Sequence, residues 1–83
     1  MKRRAIYLDA NNDIYTTLGK FERLDAEEVI LVIPKSSVLF HSLINFKILK
    51  SEAIRRHKGL SIVTVDTKGQ QLAGRVGIPV YKD

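Results

Sequence analysis

Residues 29–33 read Val-Ile-Leu-Val-Ile without a polar interruption, and Pro34 closes the run. An unbroken, mostly β-branched segment of this length is a strand. A strand with no polar alternation is one covered on both faces, as in the middle of a parallel sheet. Parallel strands cannot be joined by tight hairpins, so the rest of the chain must supply crossover helices. Both flanks of the run contain them. Upstream, Ala5-Ile6-Tyr7-Leu8 is a short apolar strand ending at Asp9, before the turn-rich Asp9-Ala10-Asn11-Asn12-Asp13. Ile14, Leu18, Phe21 and Leu24 then recur with the helical period, with Asn12 or Asp13 placed as the cap.

Downstream, Ser36 or Ser37 caps a long helix reaching about His57, where Arg55, Arg56, His57 and Lys58 suit the negative end of the helix dipole and Gly59 supplies the stop. Leu60 to Val65 form a third strand. Thr67-Lys68-Gly69-Gln70 has capping-box spacing and opens a short helix with Leu72, Ala73 and Val76 inward, ended by Gly77. Ile78-Pro79-Val80-Tyr81 is a brief fourth strand. The order βαβαβαβ implies an α/β fold of Rossmann-like or flavodoxin-like type, with a four-stranded, mainly parallel sheet and helices on both faces. The favoured strand order is 2-1-3-4. Ile30, Val32, Leu39, Leu43, Ile62, Val63 and Leu72 are the expected core.

A chain of 83 residues has room for one domain, and buries only about 60 to 65% of its unfolded surface. With 45% hydrophobic and 28% charged residues it has the composition of an ordinary globular protein rather than a disordered one. There is no cysteine, which excludes disulfides and Cys-ligated metal. The basic start Met1-Lys2-Arg3-Arg4 is followed by too short an apolar stretch for an export signal, and the longest uncharged run, Ser36 to Phe46, is about half a bilayer span. A cytoplasmic protein without membrane insertion is expected, either a minimal protein or a domain of a longer one. The net charge of +5 serves solubility and favours anionic partners.

In an open parallel sheet, ligands bind where loops leave the carboxyl ends of the strands. Those ends deliver Asp9, Asn11, Asn12 and Asp13; Lys35, Ser36 and Ser37; and Asp66, Thr67 and Lys68. Carboxylates, a lysine and hydroxyls at helix starts suit a phosphate, alone or with Mg²⁺, yet the same residue types are what helix caps require. No Gly-x-Gly-x-x-Gly and no Gly-x-x-x-x-Gly-Lys-Ser/Thr is present, and no nucleophile is set beside a base. No catalytic residue, resident metal or cofactor is therefore assigned. His41 is expected to pack within an apolar helical stretch, and His57 to be a solvated helix end. Lys47, Lys50, Arg55, Arg56 and Lys58 could meet nucleic-acid phosphates, or form a solvated face. On the long helix, Leu39, Leu43 and Phe46 form one apolar stripe, and Phe40, Ile44 and Ile48 a second. One sheet accepts one stripe, so the second must be covered by a neighbouring helix, a second subunit or a further domain, and a homodimer or a docking contact is the expectation taken forward.

Val29 to Ser37, Leu43 to Ala53, Ser61 to Asp66 and Leu72 to Val80 together resemble an uncharacterised Rossmann-like α/β domain of candidate-phyla and other bacterial proteins, sometimes fused to membrane-anchored or baseplate-J-like segments. The segment Asp9 to Leu24 is similar too. The resemblance implies a Rossmann-like fold and a modular life, and it carries over no activity and no site residue. The expected function is thus a non-enzymatic binding or interaction module acting as an oligomer or within a larger protein, with a phosphate or nucleotide site or a nucleic-acid surface as alternatives.

Overall fold

The computed structural model describes residues 1–82. The chain forms β1 (Arg3–Tyr7), α1 (Ile14–Arg23), β2 (Glu28–Val32), a 3₁₀ turn (Val38–His41), α2 (Leu43–Arg55), β3 (Gly59–Val63), α3 (Thr67–Arg75) and β4 (Val80–Tyr81). The four strands make one parallel sheet. Alternation of strand and helix dictates this much, because each helix returns the chain to the same end of the sheet.

Strand order is β1-β2-β3-β4 rather than 2-1-3-4. The apolar run explains the difference. In a 2-1-3-4 sheet β2 would be an edge strand, whereas here it lies between β1 and β3, and the edge falls to β1, which carries Arg3 and Arg4. Charged residues on an edge discourage further strand pairing. The order has a second consequence. Right-handed crossovers that all advance in one direction put every helix on the same side of the sheet, so the expected helices on both faces are corrected to a single layer.

Burial shows that arrangement residue by residue. Ile6 and Leu8 of the first strand, Val29, Leu31 and Ile33 of the second, and Ile62 and Thr64 of the third are buried under the helices. Their alternating neighbours Ala5, Tyr7, Ile30, Val32, Ser61 and Val63 point the other way and are exposed or half-exposed. The expected core is therefore corrected in phase. Leu39, Ile62 and Leu72 are buried, but Ile30, Val32 and Val63 lie on the far face, and Leu43 is only half-buried.

The helix layer is tightly built. Phe21 from α1, Leu39 and Phe40 from the 3₁₀ turn, Phe46 and Leu49 from α2, and Ala73 from α3 fill it. The long second helix expected from the sequence is broken: Ser42 is extended, and its hydroxyl accepts from the N–H of Ile44 at 3.2 Å to start α2 afresh. The break turns the Phe40 ring inward to stack on Phe46, with centroids 6.0 Å apart. Gly69 makes room for that ring, since a Cβ there would lie 2.5 Å from it. At the end of α2 the left-handed position belongs to His57 (φ 56°), which is exposed, and Gly59 instead begins β3. His41 is also exposed, outside the apolar packing expected of it.

Candidate functional site

The parallel strands bring the chemically promising residues of the sequence to one edge, and the structure uses most of them as caps. Asp13 caps α1, its carboxylate accepting from the Thr16 N–H at 2.8 Å. The Asn12 side chain accepts from the Asp9 N–H at 2.8 Å, and buried Ser37 accepts from the Leu39 N–H at 3.1 Å. Asp66, not Thr67, caps α3. One of its oxygens accepts from Lys68 N–H at 2.9 Å and Gly69 N–H at 3.3 Å, and the other from Ser36 N–H at 2.9 Å.

Asp66 therefore supplies the negative charge that a phosphate would bring to the start of α3. The Ser36 N–H, followed by those of Gly69 and Lys68, holds its carboxyl below the ordinary carboxylate range against the opposing effect of burial. The Thr16 N–H does the same for Asp13. Ser36 is held with φ 60°, which aims its N–H at Asp66 and leaves the segment from β2 tied to α3. Asp9, Asn11, Lys35, Thr67 and Lys68 stay exposed around these caps. Among the described residues no three His, Cys, Asp or Glu side chains are grouped to hold a metal ion.

The basic residues of α2 likewise serve the helix layer. Lys50 donates to the Val76 carbonyl at 2.6 Å, and Lys58 donates to the carbonyls of Leu24 at 2.7 Å and Ala26 at 2.8 Å. Arg56 joins Glu52 at 2.8 Å to Glu22 of α1 at 3.0 Å, and Arg55 also pairs with Glu52. Hydrogen bonds from Arg55 and Arg56 lower the Glu52 carboxyl. Of the five cations, Lys47 alone has no such partner among the described residues. These charges do not form a free row matched to a phosphate backbone.

The apolar residues assigned to an interface part company. Phe40 is 3% exposed and belongs to the chain's own core, Ile48 is half-buried, and Ile44 is 61% exposed. The second stripe was a property of one continuous helix, and the break at Ser42 dissolves it.

What the sequence reasoning missed is the far face of the sheet. Cross-strand register lines up Ala5, Ile30 and Ser61 in one row, and Tyr7, Val32, Val63 and Tyr81 in the next. Tyr7 is 75% and Tyr81 59% exposed. A trough of about 480 Å³ on this face is lined from β1 to β4, by Arg3, Glu28, Ile30, Ser61, Val63 and Tyr81 among others. Arg3 and Glu28, both in its lining, form an ion pair of 2.9 Å. The signal was present: residues 29–33 are apolar at every position, not only at those that point towards the helices.

The fold and this face define a singly wound parallel α/β sheet, with one layer of helices and one uncovered surface. No protein-family model, no curated protein and no solved structure matches the chain. No helix among the described residues is long and apolar enough to cross a membrane.

Proposed function

We propose that this chain is a non-enzymatic docking module, and that its uncovered sheet face is closed by another polypeptide, whether a further copy of the chain or a different protein. One observation carries this. The sequence of β2 is that of a strand covered on both sides, and the fold covers only the side bearing Val29, Leu31 and Ile33. Parallel sheets are almost always buried on both faces, so Ile30 and Val32 are apolar for a contact that the chain does not make with itself. The carboxyl-edge residues support the same view, since caps consume the groups that would otherwise recognise a phosphate.

A neutral solvatochromic dye tests it. The folded protein should bind the dye, and the double substitution Ile30→Lys with Val63→Lys should abolish binding while leaving a cooperative melt. Native protein that leaves the dye in water, or dye binding indifferent to the double substitution, would overturn the proposal.

A further inference from the structure

We propose a further binding site on the helix layer, independent of the open face: a pocket between α2 and the end of α3 that takes a small, soluble phosphate monoester with an apolar body. On α2, Lys47, Lys50, Ser51 and Ile54 stand at i, i+3, i+4 and i+7, and so share one side of the helix. Arg75 and Val76, where α3 ends, complete the lining of a pocket of about 380 Å³. The Lys50 ammonium ties the two walls together, donating to the Val76 carbonyl at 2.6 Å.

Charge selects the head group. Lys47, Lys50 and Arg75 line the pocket and no carboxylate does. Lys47 and Arg75 have no ion-pair partner among the described residues, because the acid nearest in sequence, Glu52, is engaged by Arg55 and Arg56. The negative end of α3 accounts for only part of this gathering, since a helix terminus carries about half a unit charge. Lys50 answers it through Val76, and about two positive charges are left over. A phosphate monoester above its second pKa, about 6, carries about two negative ones. A carboxylate would leave one cation unmatched.

Size and polarity select what the phosphate is attached to. Ile54 is 64% exposed and Val76 half-buried, and they give the pocket an apolar side, while Ser51 adds a hydroxyl to its lining. A bare anion would underfill it: a water molecule takes about 30 Å³ of the liquid, so the pocket has room for about a dozen. That volume falls in the small-ligand range of roughly 300 to 1,000 Å³. An ester whose carbon body lies on Ile54 and Val76, with its phosphate between Lys47 and Arg75, uses both halves of the lining. The net charge of +5 draws such a dianion in.

An amide-shift titration of the intact chain with phenyl phosphate near neutral pH tests the site. Saturable shifts are expected at the pocket residues of α2 and α3, with inorganic phosphate at least about fivefold weaker and neutral benzyl alcohol not binding. Lowering the pH to about 5 should weaken phenyl phosphate, because the monoester then holds its second proton. Lys47→Gln with Arg75→Gln should lose at least about tenfold in affinity, whereas Lys20→Gln with Arg23→Gln, the same charge removed from α1, should stay within about twofold of the parent. Ile54→Ala should bring phenyl phosphate closer to inorganic phosphate. The proposal is overturned by absence of saturable shifts at roughly 10 mM phenyl phosphate, by shifts centred on the carboxyl edge of the sheet, by equal binding of the two phosphates, or by equal losses in the two double variants. A chain that ignores phenyl phosphate yet sediments with vesicles of phosphatidic acid would overturn it too, giving the cations to a membrane surface.

Discussion

In β2 the two faces of this sheet carry similar residues, Val29, Leu31 and Ile33 on one side and Ile30 and Val32 on the other, and they live in different solvents. On the helix side, Leu31 is fully buried among Phe21, Leu39, Phe46 and Leu49. One residue away, Ile30 has no cover from the chain's own helices. Hydrophobicity alone therefore does not say where a core lies. Burial is decided by which side the crossovers take, and the leftover apolar surface is the ground of the proposed docking role.

Substitutions at neighbouring positions give the sharpest way to break that contrast. Leu31→Ala should cost about 2 to 5 kcal/mol, enough to consume most of the stability of so small a domain. Ile30→Ala should cost less than about 1.5 kcal/mol, because it removes side chain that is already in partial contact with water. Urea unfolding of both variants checks this, and equal losses would show that the second face is packed after all.

Glycines on opposite sides of the sheet provide the next test. Gly69→Ala drives a methyl group into Phe40, with a Cβ contact of 2.5 Å, and should cost about 1 to 3 kcal/mol by overpacking. Phe40→Leu in the same molecule should recover part of that loss. Gly59→Ala on the open side comes closest to the flexible Glu28 side chain, at 3.2 Å, with the Glu27 carbonyl at an ordinary 3.9 Å, so its effect should stay under about 1 kcal/mol. Melting temperatures of the three proteins give the order directly.

Smaller effects are expected at the edge and on the outer helix surface. Asp66→Asn removes the charge that holds the Ser36, Lys68 and Gly69 N–H groups, for a loss of about 1 kcal/mol at neutral pH. The Asp66 carboxyl titrates lower in the folded chain than in the unfolded one. Its contribution is therefore complete above the unfolded value, near pH 4, and disappears as the pH falls through the folded value. The substitution should accordingly flatten this part of the acid limb of stability measured by urea titration. Smallest of all, Ile44→Glu should change stability by no more than about 0.5 kcal/mol and leave the sedimentation coefficient unaltered. A parent dimer that this substitution splits would move the contact surface from the sheet to the helix layer.

The same contrast separates what was legible from what was not. Asp13 could be read as a cap because its partner, Thr16, is three residues away. Asp66 could not be read as a clasp between the segment after β2 and α3, because Ser36 is distant in sequence and its left-handed backbone is a product of the assembled edge. Phe40, expected at an interface, is buried in the chain's own core for a related reason. Helical periodicity ran on through Ser42, while packing against Phe46 and Gly69 made it better to stop and turn. Lys50, Lys58 and Arg56 read as a basic helix end, and only their contacts with Val76, Leu24, Ala26 and Glu22 show them as ties between elements.

By itself the sequence determined the alternation of four strands with helices, the parallel pairing and the most apolar strand, because those depend on residues that are neighbours along the chain. The tertiary structure alone decided the strand order, the side on which the helices gather and the division of Val29 to Ile33 between a packed face and an open one. The reason is physical: the same local pattern and the same right-handed crossover serve either strand order, and only the competition of whole strands for the interior of the sheet chooses between them.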